Sequence, residues 1–553
     1  MIVNNYSATI CKRIYGGISA QSSHKILYNY FSTALRLLGR LRMLSSEKTE
    51  ELRTIDEINE KIRRGDAVVL TAEEMIKLVE SSGLEVAAKE VDVVTTGTFG
   101  AMCSSGVFLN FGHSDPPIKM TRCWLNDVPV YKGLAAVDGY LGATAMSETR
   151  GFEYGGGHVI EDLVSGKEVV LRAESYGTDC YPRRHIETVI TIDDLNQAIL
   201  VNPRNCYQRY DAATNSSDRV LYTYMGTLLP NYGNITFSGA GQLNPLCKDP
   251  NYETIGLGTR IFLGGGIGYI IGEGTQHSPG AGFGTIMVKG DLKQMNSRYL
   301  RGASFHRYGT TLYVGIGIPI PIINMNVART AALKDEEIFV NIRDYAVPSR
   351  PDLRPVVKRV SYAELRSGKV NIGDRDVPSS SLSSYKMARE IAETLKKWIL
   401  EGTFFLTKPI EPLPRQREFK PLKVRGREIR VGDIMSRNVI TARPDEDIKA
   451  VASKLVEKGI DHLPVVDQDG RLVGIVTSWD LAKAIAQDKR RLDEIMTRKV
   501  ITAFENESID VVARRMAQYN ISGVPVVDRL NHVIGILTTD DISRKVIGGR
   551  CAQ

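Results

Sequence analysis

One pattern occurs twice in this chain: "IMSRNVITARPDEDIKAVASKLVEKGIDHLPVVDQDGRLVGIVTSWD" over Ile434–Asp480 and "IMTRKVITAFENESIDVVARRMAQYNISGVPVVDRLNHVIGILTTDD" over Ile495–Asp541. Met435 and Met496, Pro464 and Pro525, and Asp480 and Asp541 all lie 61 positions apart, so the copies align without a gap. Each copy predicts a short strand, an amphipathic helix, the strand "PVVD", a turn and the strand "GIVT" or "GILT". A second helix follows, capped by the Thr–Asp stretch.

The repeat resembles a tandem pair of CBS domains, a Bateman module, with domain 1 over 430–487 and domain 2 over 490–548. The resemblance implies an α/β module whose two units pack sheet to sheet and leave clefts for adenosine-containing ligands. The family motif G-h-x-[ST]-x-x-[DN] stands in both copies. By resemblance, Asp480 and Asp541 accept hydrogen bonds from ribose hydroxyls, and Thr477 and Thr538 contact a phosphate or its substitute. Thr441 and Thr502 would lie beside the adenine. A carboxylate suits two vicinal hydroxyls, and a helix N-terminus favours an anion. The same residues would equally serve as plain helix caps. S-adenosylmethionine is the expected effector, ahead of AMP or ATP, because little basic charge lies near the motifs and Asp480, Asp540 and Asp541 do. The pair is also expected to hold the protein as a homodimer.

Upstream, "LTKPIEPLPRQREFKPLKVRGREIR" is rich in proline and base without an apolar period, and the stretch 403–429 reads as a linker. Residues 48–402 then form a large N-terminal catalytic region, α/β (mixed α+β) in class, with room for one big domain or two. Its start, "TIDEINEKIRRGDAVVLTAEEMIKLVESSG", predicts a capped helix, a strand and a second helix with Thr71 as N-cap and Glu74 at N3. Its middle is dense in glycine and short β-branched runs, which implies turns and buried strands. "GGGIGYIIGEG" is not a dinucleotide fingerprint, since no helical pattern follows it.

At 553 residues, 42% hydrophobic and 24% charged, the chain has the composition of a globular protein with more than one core. Six Lys/Arg and no acid lie in residues 1–46 (Lys12, Arg13, Lys25, Arg36, Arg40, Arg42), so the net charge of +7 is almost entirely local to this leader. The rest has no basic footprint for nucleic acid. The leader superficially resembles a transit peptide, but Met43 offers a second reading as the true start of translation. Nothing in residues 1–42 carries a core-building period, so a chain begun at Met43 is expected to keep its melting temperature and activity. No apolar run of about 20 residues predicts a membrane span.

Seven cysteines, at 11, 103, 123, 180, 206, 247 and 551, show no CxxC or paired spacing, which argues against an in-chain zinc or iron–sulfur site. The odd count predicts free thiols in the cytoplasm. Three glycine-bearing or polar stretches hold reactive groups: "TTGTFGAMCSSGVFLNFGHSDPP" with Cys103 and His113, "AESYGTDCYPRRHIET" with Cys180, and "NPRNCYQRY" with Cys206. Cys180 follows Gly-Thr-Asp and precedes Tyr-Pro, a turn where functional groups are displayed. Arg183, Arg184 and His185 could stabilise its thiolate, and Asp179 opposes them. His113 and Asp115 could form an acid/base pair but are too few for a metal site.

These stretches, with "VYKGLAAVDGYLGATAMSE" and "GGGIGYIIGEGTQHSP", resemble the archaeal and bacterial homocysteine-biosynthesis family, often fused to a CBS pair. The resemblance implies an L-aspartate semialdehyde sulfurtransferase over about residues 54–400, with Cys180 as the persulfide-bearing cysteine and Cys103 as an assisting one. Turning an aldehyde into a thiol needs a sulfur nucleophile and two electrons. No flavin, nicotinamide or cluster signature stands in the chain, so the resemblance implies an iron–sulfur cluster only in a partner, a ferredoxin-type electron donor. Arg122, Arg183, Arg184 and Arg204 are candidates to grip the substrate carboxylate, and His113 is a further substrate-site candidate. Two other readings compete: a non-enzymatic adenosyl-ligand sensor, and a sulfur-relay enzyme acting on another carbonyl.

Overall fold

The computed structural model describes residues 52–346, 354–417 and 429–544. The leader, Cys11 and Cys551 lie outside the described residues. The chain divides into two compact units. Residues up to Tyr210, Ser238–Ile338 and Leu382–Arg417 make the first; Asp211–Phe237, Phe339–Ser381 and the chain from Glu418 onward make the second.

The first unit is built on a nine-stranded sheet. Its order is Leu300–Phe305, Gly309–Gly317, Arg260–Leu263, Gly266–Glu273, Ile286–Asp291, Gln197–Asn205, Gly106–Asn110 and Asp138–Gly142, with Thr98–Ala101 also paired to Gly309–Gly317. The glycine-rich "GGGIG" is a hairpin turn in this sheet. Gly264 and Gly265 sit at φ +60° and +94°, the left-handed pair that a two-residue hairpin requires. The predicted opening elements are present. Thr54 and Glu57 close a capping box on helix Ile55–Arg64, and Thr71 and Glu74 close another on helix Ala72–Ser82 after strand Val69–Thr71. Helix Tyr385–Leu400 turns Ala388, Ile391, Ala392, Leu395 and Ile399 inward at helical spacing.

A second, four-stranded sheet in this unit runs His185–Ile190, Val169–Glu174, Arg122–Leu125, Val128–Val130. Helix Gly156–Val164 packs against the nine-stranded sheet at Gly309–Gly317, and its leading glycines permit the approach. A Cβ on Gly157 would lie 2.1 Å from the carbonyl oxygen of Thr311, and one on Gly302 would meet the backbone of His158 at 2.6 Å.

The expected linker at 403–429 is corrected in its first half. Phe404 and Leu406 are buried with Ile58, Ile62 and Ile399, Leu413 joins the main core, and Glu411–Pro412 pairs with Gly256–Leu257. Isolated apolar residues without a period can fill gaps in a core built by other elements, which is why composition suggested a linker. Residues 418–428 of that linker lie outside the described residues. The expected boundary at 402 also differs from the packing: 211–237 and 339–381 group with the second unit, where they form a six-stranded mixed sheet.

The second unit also contains the repeat. In its first copy, helix Ile448–Lys458 leads to the antiparallel strands His462–Val466 and Leu472–Thr477 and then to helix Ser478–Ala486. In its second, Ile509–Tyr519, Gly523–Val527, Val533–Thr538 and Thr539–Ile542 follow in the same order. Each copy has its own core, around Val451, Leu463 and Val476 in one and Val512, Val524 and Leu537 in the other. No helix among the described residues is long and apolar enough to cross a membrane.

Gly157→Ala is expected to destabilise the protein by about 1–3 kcal/mol, because the added methyl must displace backbone rather than a flexible side chain. Gly280→Ala, with open space around its Cβ, should be close to neutral. Thermal unfolding of the two variants checks this.

Candidate functional site

Cys180 stands at the tip of a β-hairpin. Strands Val169–Glu174 and His185–Ile190 pair down to Glu174↔His185, and residues 175–184 connect them. Within the connection the amide of Thr178 donates to the carbonyl of Tyr181 at 2.9 Å, and the amide of Tyr181 returns the bond at 3.1 Å. Asp179 and Cys180 are therefore the two central residues of a tight turn, and Cys180 is exposed. The hairpin is anchored to loop 113–117. Arg183 Nε donates to the Pro116 carbonyl at 3.0 Å and its Nη2 donates to the Asp115 carbonyl. The rings of Tyr181 and His113 stack at 5.8 Å.

This placement separates the arginine candidates. The guanidinium of Arg183 is committed to backbone carbonyls, so it holds the loop instead of gripping a substrate. Arg184 packs along Gly177. Arg122 lies at the root of the hairpin, 3.8 Å from Glu174, where it lines an open pocket of about 690 Å³ with Trp124, Tyr131, Lys132 and Glu148. Arg204 belongs to a different neighbourhood, that of Cys103.

Cys103 is half-buried in the turn between Thr98–Ala101 and Gly106–Asn110. Its Sγ accepts a hydrogen bond from Thr311 Oγ1 at 3.3 Å. The adjacent Ser104 hydroxyl donates to Asn202 Oδ1 and to the Arg204 carbonyl, and Asn202 Nδ2 donates to Ser105 Oγ at 2.8 Å. Arg204 donates through Nη1 to Gln276, and its Nε is buried without a partner. Thr311 and Asn202 escaped the sequence reading. Thr311 is 208 residues from Cys103 and sits in an apolar strand run that gives no local sign of contact with a thiol.

The two cysteines are tied to opposite ends of one strand. Cys103 precedes strand Gly106–Asn110, and the Cys180 hairpin docks on the loop that follows it. About 13 Å of extended chain lies between these two ends. The remaining described thiols are poor nucleophiles. Burial pushes Cys123 and Cys247 up to about 12 and raises Cys206 as well. Cys247 donates to the Gln208 carbonyl at 2.9 Å. Burial also pulls Lys248 down to about 7, with Nζ donating to the carbonyl of Leu333 inside the core.

In the second unit, both motif aspartates are helix caps. Asp480 Oδ2 accepts from the amide and hydroxyl of Thr477 at 2.9 and 2.7 Å, and Asp541 Oδ2 accepts from Thr538 at 3.0 and 2.8 Å. In both copies the capping bonds fall on Oδ2 of the carboxylate. Thr477 and Asp480 line a cleft of about 220 Å³ with His462, Lys499, Ile501 and Ser522. Thr502 follows that lining segment without joining it, and its carbonyl accepts from Arg515. Thr441, its counterpart in the first copy, is half-buried.

A family model described as homocysteine biosynthesis enzyme, sulfur-incorporation, matches residues 67–406, and the CBS domain model matches 431–487 and 492–548. The L-aspartate semialdehyde sulfurtransferase of Methanocaldococcus jannaschii is 59% identical over 514 residues, covering 90% of this chain and 99% of its own. That of Methanosarcina acetivorans is 56% identical over 493 residues, covering 89% and 98%. A crystal structure of a CBS domain pair in complex with 5′-methylthioadenosine and S-adenosyl-L-methionine is 54% identical, covering 22% of this chain and 98% of that one, with a TM-score of 0.22. The chain thus belongs to the homocysteine-biosynthesis, sulfur-incorporation enzyme family, as a sulfurtransferase that carries two CBS domains.

Proposed function

We propose that this sulfurtransferase forms L-homocysteine from L-aspartate semialdehyde, with Cys180 carrying the sulfur as a persulfide. The observation that carries the reading is the contrast among the thiols. Cys180 is the exposed one among the described cysteines, at the tip of an anchored turn, whereas Cys123, Cys206 and Cys247 are buried. A sulfur carrier must meet both a donor and a substrate, which a buried thiol cannot do. The names and near-complete coverage of the two relatives support the same substrate.

The terminal sulfur of the Cys180 persulfide attacks the aldehyde carbon, forming the carbon–sulfur bond while the carbonyl oxygen takes a proton. Two electrons and two protons then cleave the sulfur–sulfur bond, returning Cys180 as a thiol and leaving a thiohemiacetal. Loss of water and a second pair of electrons and protons give the thiol product. The four electrons are drawn from a ferredoxin-type iron–sulfur protein, the partner implied by the family resemblance. Arg122 and Glu174, an exposed pair at the hairpin root, suit the carboxylate and the ammonium of the substrate respectively. Cys103 lies at the far end of strand Gly106–Asn110, so its assisting role falls on sulfur reloading more naturally than on attack. The CBS clefts take adenosyl ligands as regulators, with S-adenosylmethionine foremost. The differential affinity that regulation requires is a property to be measured.

Cys180→Ser is expected to abolish homocysteine formation with the fold intact, since an alcohol cannot hold sulfane sulfur. After treatment with polysulfide, whose sulfane sulfur passes to the thiolate as a shorter polysulfide leaves, the Cys180 peptide should show one added sulfur atom in the unsubstituted protein and none in the variant. Full activity in Cys180→Ser would overturn the mechanism. Arg122→Ala should raise KM for the aldehyde roughly tenfold while changing kcat less, as loss of a charge-assisted hydrogen bond predicts.

Alkylation of the native protein near pH 7, followed by peptide mass analysis, should label Cys180 first and Cys103 more slowly, and leave Cys123, Cys206 and Cys247 protected. Their raised pKa values keep them as thiols until the pH approaches those values or the chain unfolds.

A further inference from the structure

Attack by a Cys180 persulfide leaves the carbonyl oxygen in need of a proton, and we propose that Tyr176 supplies it, with Lys119 beside its hydroxyl. This rests on the reading of Cys180 as the sulfur carrier. Tyr176 belongs to the same hairpin connection. The amide of Ser175 donates to the Arg184 carbonyl at 2.8 Å and Thr178 exchanges two bonds with Tyr181, so Tyr176 stands opposite Arg183 between these pairs. Opposed residues of an antiparallel ladder share one face. From that face Arg183 reaches loop 113–117, and Tyr176 reaches Lys119 two residues further on. Lys119 Nζ donates to Tyr176 Oη at 3.4 Å and lies 5.9 Å from the ring centroid. The segment carrying Lys119 is fixed to the hairpin on both sides of it. Ile118 bridges Arg183, and the amide and hydroxyl of Thr121 donate to the Glu174 carbonyl at 2.8 and 3.0 Å. Tyr176 is thus held on the flank of the hairpin while 61% exposed, open to a substrate.

Two ladder steps, about 7 Å, separate the Tyr176–Arg183 level from the Thr178–Tyr181 pair that closes the Cys180 turn. A persulfide extending from Cys180 and the Tyr176 phenol can therefore converge on one carbonyl group. The other hydroxyls and cations of the connection are engaged within it. Ser175 Oγ accepts from the amide of Gly177 at 3.2 Å, and Thr178 Oγ1 accepts from that of Tyr181 at 3.0 Å. Tyr181 lays its ring on His113, and Arg183 is bound to carbonyls. As the carbon–sulfur bond forms, the carbonyl π electrons move to oxygen, which takes the phenolic proton. The phenolate left behind faces the Lys119 ammonium, a fixed positive charge where negative charge develops. A proton from solvent restores the phenol, which gives it up again when the thiohemiacetal hydroxyl leaves as water. No electron passes through either residue. Tyr176 is the catalytic group, and Lys119 is a positioning residue that acts through it.

Tyr176→Phe keeps the ring and removes only the hydroxyl. In the full chain, with titanium(III) citrate as a saturating chemical reductant, it should lower kcat for L-aspartate semialdehyde about a hundredfold and leave KM within about twofold. Lys119→Ala should lower kcat about tenfold, and Lys119→Arg should restore most of it. The double variant Tyr176→Phe/Lys119→Ala should be no slower than Tyr176→Phe, because Lys119 acts through the phenol. Two readouts separate proton supply from support of the hairpin. Sulfur uptake by Cys180 from polysulfide and the rate of Cys180 alkylation should match the unsubstituted protein in every variant. An unchanged kcat in Tyr176→Phe overturns the inference and, with Cys180→Ser inactive, leaves the persulfide reading standing. A fall in kcat accompanied by lost sulfur uptake or altered alkylation also overturns it, since Tyr176 then only braces the turn. Full activity in Cys180→Ser overturns both.

Discussion

The close approach of helix Gly156–Val164 to strand Gly309–Gly317 is the constraint on which the catalytic unit's inner site depends. Backbone atoms of Gly157 lie so near the Thr311 carbonyl that a methyl group would sit 2.1 Å away, and Gly302 meets the same helix from the neighbouring strand. The helix is thereby seated on the strand whose Thr311 hydroxyl reaches Cys103. A bulkier helix start would hold the helix off the sheet and move the strand that carries the hydroxyl. Glycine serves here for its lack of volume, since close-packed interiors have no slack to absorb a methyl.

Cys180 is governed by the opposite logic. Its turn is held from outside, by the Arg183 guanidinium on two carbonyls and by Tyr181 on His113, so the thiol is displayed without being enclosed. The basic residues next to it in sequence do not form a ring of charge around the sulfur. Arg183 works as a tether, and Arg184 runs along Gly177. An exposed thiol on an anchored turn and a half-buried thiol held by a hydroxyl are different chemical environments, tied to opposite ends of strand Gly106–Asn110.

In the CBS pair, the residues of the twice-repeated motif have a structural role. Thr477 with Asp480, and Thr538 with Asp541, close reciprocal helix caps, which fix each carboxylate at the start of its helix. The capping that the sequence set beside ligand binding is formed in both copies, and its bonds fall on one oxygen of each carboxylate.

The amino-acid sequence by itself determined what depends on local pattern. The exact repeat defined the CBS pair, the Thr–Glu spacings defined the first two capped helices, and the Gly-Thr-Asp-Cys-Tyr-Pro stretch defined the turn that displays Cys180. Caps and turns are satisfied by neighbours in sequence, so their residues are legible there. Tertiary structure decided the rest. It alone brought Thr311 and Asn202 to the Cys103 turn and committed Arg183 to the 113–117 loop. It also drew Phe404 and Leu406 into a core that their proline-rich surroundings disguised, and grouped 211–237 and 339–381 with the CBS pair. These contacts join residues far apart in the chain, where burial and strand pairing are chosen by the whole packing and leave no periodic mark on the segment itself.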